Sequence, residues 1–129
     1  MSWYDTPLTQ RVYEWVARDP DIIALVNDRI VMGSLPSDAT FPFITYRLMD
    51  NQRSELVTHA QDDTERAYYQ FNAWAKTDVV AMQVAKALIA RLAVFPGCAG
   101  EADGPRTAPD PDMMLNRYIV DFSVWHTNV

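Results

Sequence analysis

The chain has 129 residues, 49% of them hydrophobic and 22% charged, with a formal net charge of −6. A chain of this length buries upward of ~60% of the surface it exposes when unfolded, so it reads as one folded domain over 1–129 and not as a disordered segment. Eleven basic residues stand against seventeen acidic ones, and the arginines are scattered singly, which excludes the clustered positive charge of a dedicated nucleic-acid binder.

The first predicted element is a helix. Thr6 can cap it, Pro7 takes the first helical position, and Leu8, Val12, Trp15 and Val16 form one apolar stripe. Asp19-Pro20-Asp21 stops it, and Asp19 or Asp21 caps a short second helix from Ile22 to Val26. Ile30-Val31-Met32 reads as a short strand, and Gly33 to Thr40 as a loop. A Pro-led strand follows, Phe43 to Met49, in which Ile44, Tyr46 and Leu48 are the core candidates. Residues 50–65 form a polar arm, with Leu56-Val57-Thr58 as a possible short strand of a long hairpin.

From Arg66 to Ala75 the alternation is clean. Ala67, Tyr69, Phe71, Ala73 and Ala75 share the expected core face, opposite Tyr68, Gln70, Asn72 and Trp74. Thr77 caps the main helix and Asp78 suits its N-terminus. Val80, Val84, Leu88 and Leu92, with Ala81, Ala85 and Ile89, are its buried stripe, and Lys86 and Arg91 lie nearer its outer face or end. Pro96-Gly97 ends the helix. The Gly- and Pro-rich stretch 97–112 reads as a long loop, a length uncommon without a function. The last strand sets Tyr118, Val120, Phe122 and Val124 against Arg117, Ile119, Asp121, Ser123 and Trp125. The order predicts an α+β fold: a mostly antiparallel sheet of about four strands, with helices on one face and the other left to water or a neighbour.

Candidate chemistry is sparse. His59 and His126 have no second ligand near them in sequence, and Cys98 has no CxxC partner and cannot form an internal disulfide. No P-loop, GxGxxG, GxSxG or HExxH string occurs. Asp62-Asp63 and Asp110/Asp112 invite a divalent-ion reading, but lack the periodicity and closing Glu of a calcium loop. No catalytic residue, metal or cofactor is therefore expected. No apolar run reaches the about 18 residues of a membrane span, and the start Met1-Ser2-Trp3-Tyr4-Asp5 lacks the marks of a signal peptide. The aromatics carry more information. Trp15 reads as core, and Trp3 and Tyr4 can staple the first helix or dock on a neighbour. Trp74 and Trp125 lie opposite the expected core sets, so they either pack within the fold or serve an interface.

Four segments in order carry a resemblance: Asp28-Arg29-Ile30-Val31, Phe41-Pro42-Phe43-Ile44-Thr45-Tyr46, Phe71-Asn72-Ala73-Trp74-Ala75-Lys76-Thr77 and Asp121-Phe122-Ser123-Val124-Trp125. Over nearly its whole length the chain resembles the tail terminator, or tail-completion, proteins of long-tailed phages and gene transfer agents. The resemblance implies a non-enzymatic ring, typically a hexamer, on the head-proximal end of the tail tube. The ring stops tube polymerisation, meets the head–tail connector protein, and lets DNA pass through its lumen. It implies a place in the virion tail or neck after assembly in the host cytoplasm. Contacts are expected at Arg53, Glu55, Asp62 and Asp63 on the arm, and at Trp74 and Trp125. The alternatives are another neck or head-completion protein, a small hydrolase using the Asp-rich loops, and an adaptor that binds a peptide at its sheet edge.

Overall fold

A computed structural model describes residues 7–53, 64–96, 100–111 and 114–127. Eight elements follow in order: α1 (Leu8–Ala17), α2 (Pro20–Val26), β1 (Ile30–Met32), β2 (Phe43–Arg53), β3 (Thr64–Ala75), α3 (Asp78–Leu92), β4 (Gly100–Thr107) and β5 (Asn116–Thr127). The strands make one five-stranded sheet in the order β1-β2-β3-β5-β4. β1 pairs with β2 in parallel, and every other pairing is antiparallel. β3 and β4 are therefore parallel to each other across β5, and α3 connects them. This is a split β-α-β unit.

Local chemistry sets the helix boundaries. The Asp19 carboxylate accepts the Ile22 N–H at 3.2 Å, so Asp19, not Asp21, caps α2. Thr77 Oγ1 accepts the Val80 N–H at 3.3 Å and starts α3. Pro7 is the N-cap of α1 and not its first helical residue, so the helix starts at Leu8, one residue later than the sequence suggests. The capping role expected of Thr6 lies outside the described residues, as do Trp3 and Tyr4.

All three helices pack on one face of the sheet. Val12, Val16, Ile22, Val26, Val84, Leu88 and Leu92 interlock with Ile44, Tyr46, Tyr69, Phe71, Val120 and Phe122 in a single cluster. Each large apolar side chain buried there contributes about 1.5–3 kcal/mol. The stacked rings of Tyr13, Tyr46 and Phe71, 6.2 and 5.4 Å apart, join α1 to the sheet. Trp15 clasps α1 to α3: its Nε1 donates to the Arg91 carbonyl at 2.7 Å, Arg91 Nε donates to the Trp15 carbonyl at 2.8 Å, and the guanidinium lies 3.6 Å from the ring centroid. Arg91, placed by sequence near the outer face or end of α3, is thus a helix–helix tie.

Two expectations change. The stretch 97–112 is not one loop, because it contains β4. β4 pairs with β5 through its backbone and has no alternating apolar pattern to announce it. Its register shifts between Asp103 and Arg106, at Gly104 (φ +115°). A Cβ on Gly104 would lie 2.8 Å from the Ile119 carbonyl oxygen, so only glycine fits. Leu48, expected in the core, is 40% exposed: it is in register with buried Tyr69 on the helix side, but it is the last residue before the bulge of β2 and lies outside the buried cluster.

Candidate assembly face

The strand register lays out the face that the helices leave uncovered. Three rows cross β2, β3 and β5: Phe43–Trp74–Arg117, Thr45–Asn72–Ile119 and Arg47–Gln70–Asp121. Beyond the β2 bulge, Tyr68 pairs with Ser123 and Arg66 with Trp125, while β4 adds Asp103 and Arg106 beside β5.

One end of this face is closed. The loop from Gly33 to Pro42 brings Leu35, Ala39 and Phe41 onto Phe43, Trp74 and Leu115, which form a second, smaller core. Here the sequence segments meet in space. Trp74 Nε1 donates to Thr45 Oγ1 at 3.0 Å, and Arg29 Nε donates to the Pro42 carbonyl at 2.8 Å. The Arg117 guanidinium sits 5.1 Å from the Trp74 ring centroid, and its Nε donates to the Ala108 carbonyl. Trp74 is 8% exposed, packed within its own chain, and offers little surface to a neighbour.

The other end, at the root of the arm, is open. A concavity of about 540 Å³ is lined by Met49, Arg66, Tyr68, Gln70, Arg106 and Asp121, among others. The Arg66 guanidinium lies 5.0 Å from the Tyr68 ring centroid and 5.5 Å from that of Trp125, and its Nη2 donates to Ser123 Oγ. Trp125 is 36% exposed and Met49 is 54% exposed. Arg106 makes a two-pronged bridge to Asp121, at 3.0 and 3.2 Å, and this hydrogen-bonded carboxylate raises the guanidinium pKa above its ordinary value. At such a surface site the bridge contributes geometry more than stability. Tyr68 and Gln70 belong to the face that the alternation of β3 sets apart from its core side, and the register adds Arg66 to it. Met49 and Arg106 come from bulges, which sequence periodicity does not reveal.

Of the other candidate residues, Arg53 closes the β2–β3 ladder opposite Glu65. Glu55, Leu56, Val57, Thr58, His59, Asp62, Asp63, Cys98 and Asp112 lie outside the described residues. His126 pairs with Glu65 in the β3–β5 ladder. Asp110 forms an isolated bridge with Leu115. Among the described residues no group of three His, Cys, Asp or Glu side chains could hold a metal ion, and no helix is long and apolar enough to cross a membrane.

Among the described residues the face combines aromatic, methionine and arginine side chains, the kinds enriched at protein–protein contacts. The chain belongs to the tail completion protein gp17 family, whose model matches residues 10–127. Among curated proteins no match is found. A chain in the solved "Virion of native gene transfer agent (GTA) particle" shares the fold, with a TM-score of 0.64 at 13% identity, covering 91% of this chain and 92% of that one.

Proposed function

We propose that this tail completion protein forms a ring, a hexamer, on the head-proximal end of the tail tube of a phage or gene transfer agent particle. The ring stops tube polymerisation, presents a surface to the head–tail connector protein, and lets DNA pass without sequence-specific contact. It does so as a structural, non-enzymatic part of the virion neck, added in the host cytoplasm. The observation that carries this reading is the half-open sheet face of a family member: Trp125 and Met49 stand exposed beside Arg66 and Tyr68. A ring needs two different patches on each protomer, and large aromatic and arginine side chains supply interface energy at small entropic cost. We assign contacts with a neighbouring copy or the tube to the arm residues Arg53, Glu55, Asp62 and Asp63, which lie in or beside the stretch of sequence joining β2 to β3.

Particles made without the protein should show tails of uncontrolled length that lack heads under the electron microscope. Tails of normal length joined to heads would overturn the proposal.

A further inference from the structure

We infer that Trp3 and Tyr4, in the six residues before Pro7, cover an apolar strip at the β1–β2 edge of the helix layer. The occupant is the chain's own N-terminal segment. The strip is independent of the ring reading, which concerns the other face of the sheet.

The strip follows from register. Ile30 and Met32 of β1 pair with Ile44 and Tyr46, and Leu48 pairs with Tyr69. Ile44, Tyr46 and Tyr69 belong to the helix-side core, so Met32 and Leu48 lie on the helix side as well. They do not share its burial: Met32 is 55% exposed and Leu48 is 40% exposed. α1 covers the strands inside them, with the Tyr13 ring stacked on Tyr46. The groove along the same flank is lined by Tyr13, Ala17, Ile23 and Ile30, among others, and Ile23 is exposed too.

Position and reach name the occupant. Thr9 Oγ1 and the Tyr69 hydroxyl share a hydrogen bond of 2.8 Å, which sets the start of α1 beside the row that pairs Tyr69 with Leu48. The chain therefore enters α1 next to Leu48. Met32 lies two residues back along the sheet and one strand outward, about 8 Å from Leu48 by strand geometry. Six residues reach up to about 20 Å when extended. Met1-Ser2-Trp3-Tyr4-Asp5-Thr6 carries three apolar or aromatic side chains and one charged one. Two rings laid over a leucine and a thioether bury large area, and sulfur against an aromatic edge is a favourable contact. Only Asp5 and Thr6 separate Tyr4 from Pro7. So short a tether holds the rings at millimolar effective concentration, above what a separate copy supplies in solution.

Methionine oxidation tests this. The full chain is treated with hydrogen peroxide, and sulfoxide at each methionine is followed by peptide mass spectrometry. Met114, 85% exposed, is the internal reference. Bare, Met32 should oxidise within about two-fold of Met114; under the segment it should be at least about five-fold slower. Trp3→Ser with Tyr4→Ser should raise Met32 to the bare rate while the melting temperature stays within a few degrees. The protection should persist when the protein is diluted about a hundred-fold, since an intramolecular contact does not depend on concentration. Met32 oxidation as fast as Met114 in the natural protein, or protection that survives Trp3→Ser with Tyr4→Ser, overturns the inference. Protection lost on dilution assigns the strip to a second copy and overturns it as well. If the double variant melts lower, nuclear Overhauser contacts between the Trp3 or Tyr4 ring protons and the Met32 methyl decide in the natural protein: found within one chain they support the inference, and missing they overturn it. None of these outcomes touches the ring reading, which particles made without the protein test separately.

Discussion

The two faces of the same sheet lead different lives. On the helix side Tyr69, Phe71, Val120 and Phe122 are 2% exposed or less, while on the far side Trp125 is 36% exposed. Both sets come from the same two strands, alternating residue by residue. The comparison teaches that β3 and β5 hold the fold together with one set of side chains and leave part of the other set at the surface. It also teaches that the division is not clean, because the loop from Gly33 to Pro42 folds one end of the outer face into a second core.

The comparison can be broken from either side. The largest effect is expected for Phe71→Ala, which should cost about 3–5 kcal/mol through lost burial and an unfilled cavity, measured by chemical denaturation. A loss below about 1 kcal/mol would mean that the helix face is not the main core. Trp74→Phe should cost about 1–2 kcal/mol, since it shrinks the second core and leaves the Thr45 hydroxyl without its donor. It should leave assembly of the folded fraction unchanged. Thr77→Ala should cost about 1 kcal/mol by uncapping α3.

A pH series sharpens the same contrast. Burial raises the hydroxyl pKa of Tyr46 and Tyr69 above the ordinary value of 10.0, and for Tyr69 the Thr9 hydrogen bond and the Arg11 charge oppose part of the rise. The folded state thus holds these protons more tightly than the unfolded one. Their contribution to stability is full below about pH 10 and is lost as the pH climbs through the raised folded values. Thermal melts should show that alkaline loss in the natural protein, and a smaller one in Tyr69→Phe. The smallest stability effect is expected for Trp125→Ala, within about 0.5 kcal/mol of the natural protein.

Much of this was legible in the sequence where side chains repeat with a period. The stripes of α1 and α3, the inward set of β3 and the Thr77 cap all follow from local patterns. The elements that escaped have no such pattern. β4 is held by backbone pairing to β5 and contains Gly100, Gly104 and Pro105, which read as loop punctuation. Trp74 and Trp125 are indistinguishable by alternation, and their fates diverge only because a loop more than thirty residues earlier in the chain covers one and not the other. The arginines of the sheet face are likewise brought together by topology, since β2, β3, β4 and β5 are separate in sequence.

The central proposal is that the open end of the outer face, around Arg66 and Trp125, serves assembly more than folding. Its most direct test is a folded variant carrying Trp125→Ala and Arg66→Ala, supplied as the only copy in particle-forming cells, with tails imaged by electron microscopy. The expected result is a protein that melts within a few degrees of the natural one yet leaves tails overlong and headless. Tails of natural length, joined to heads, would contradict the account.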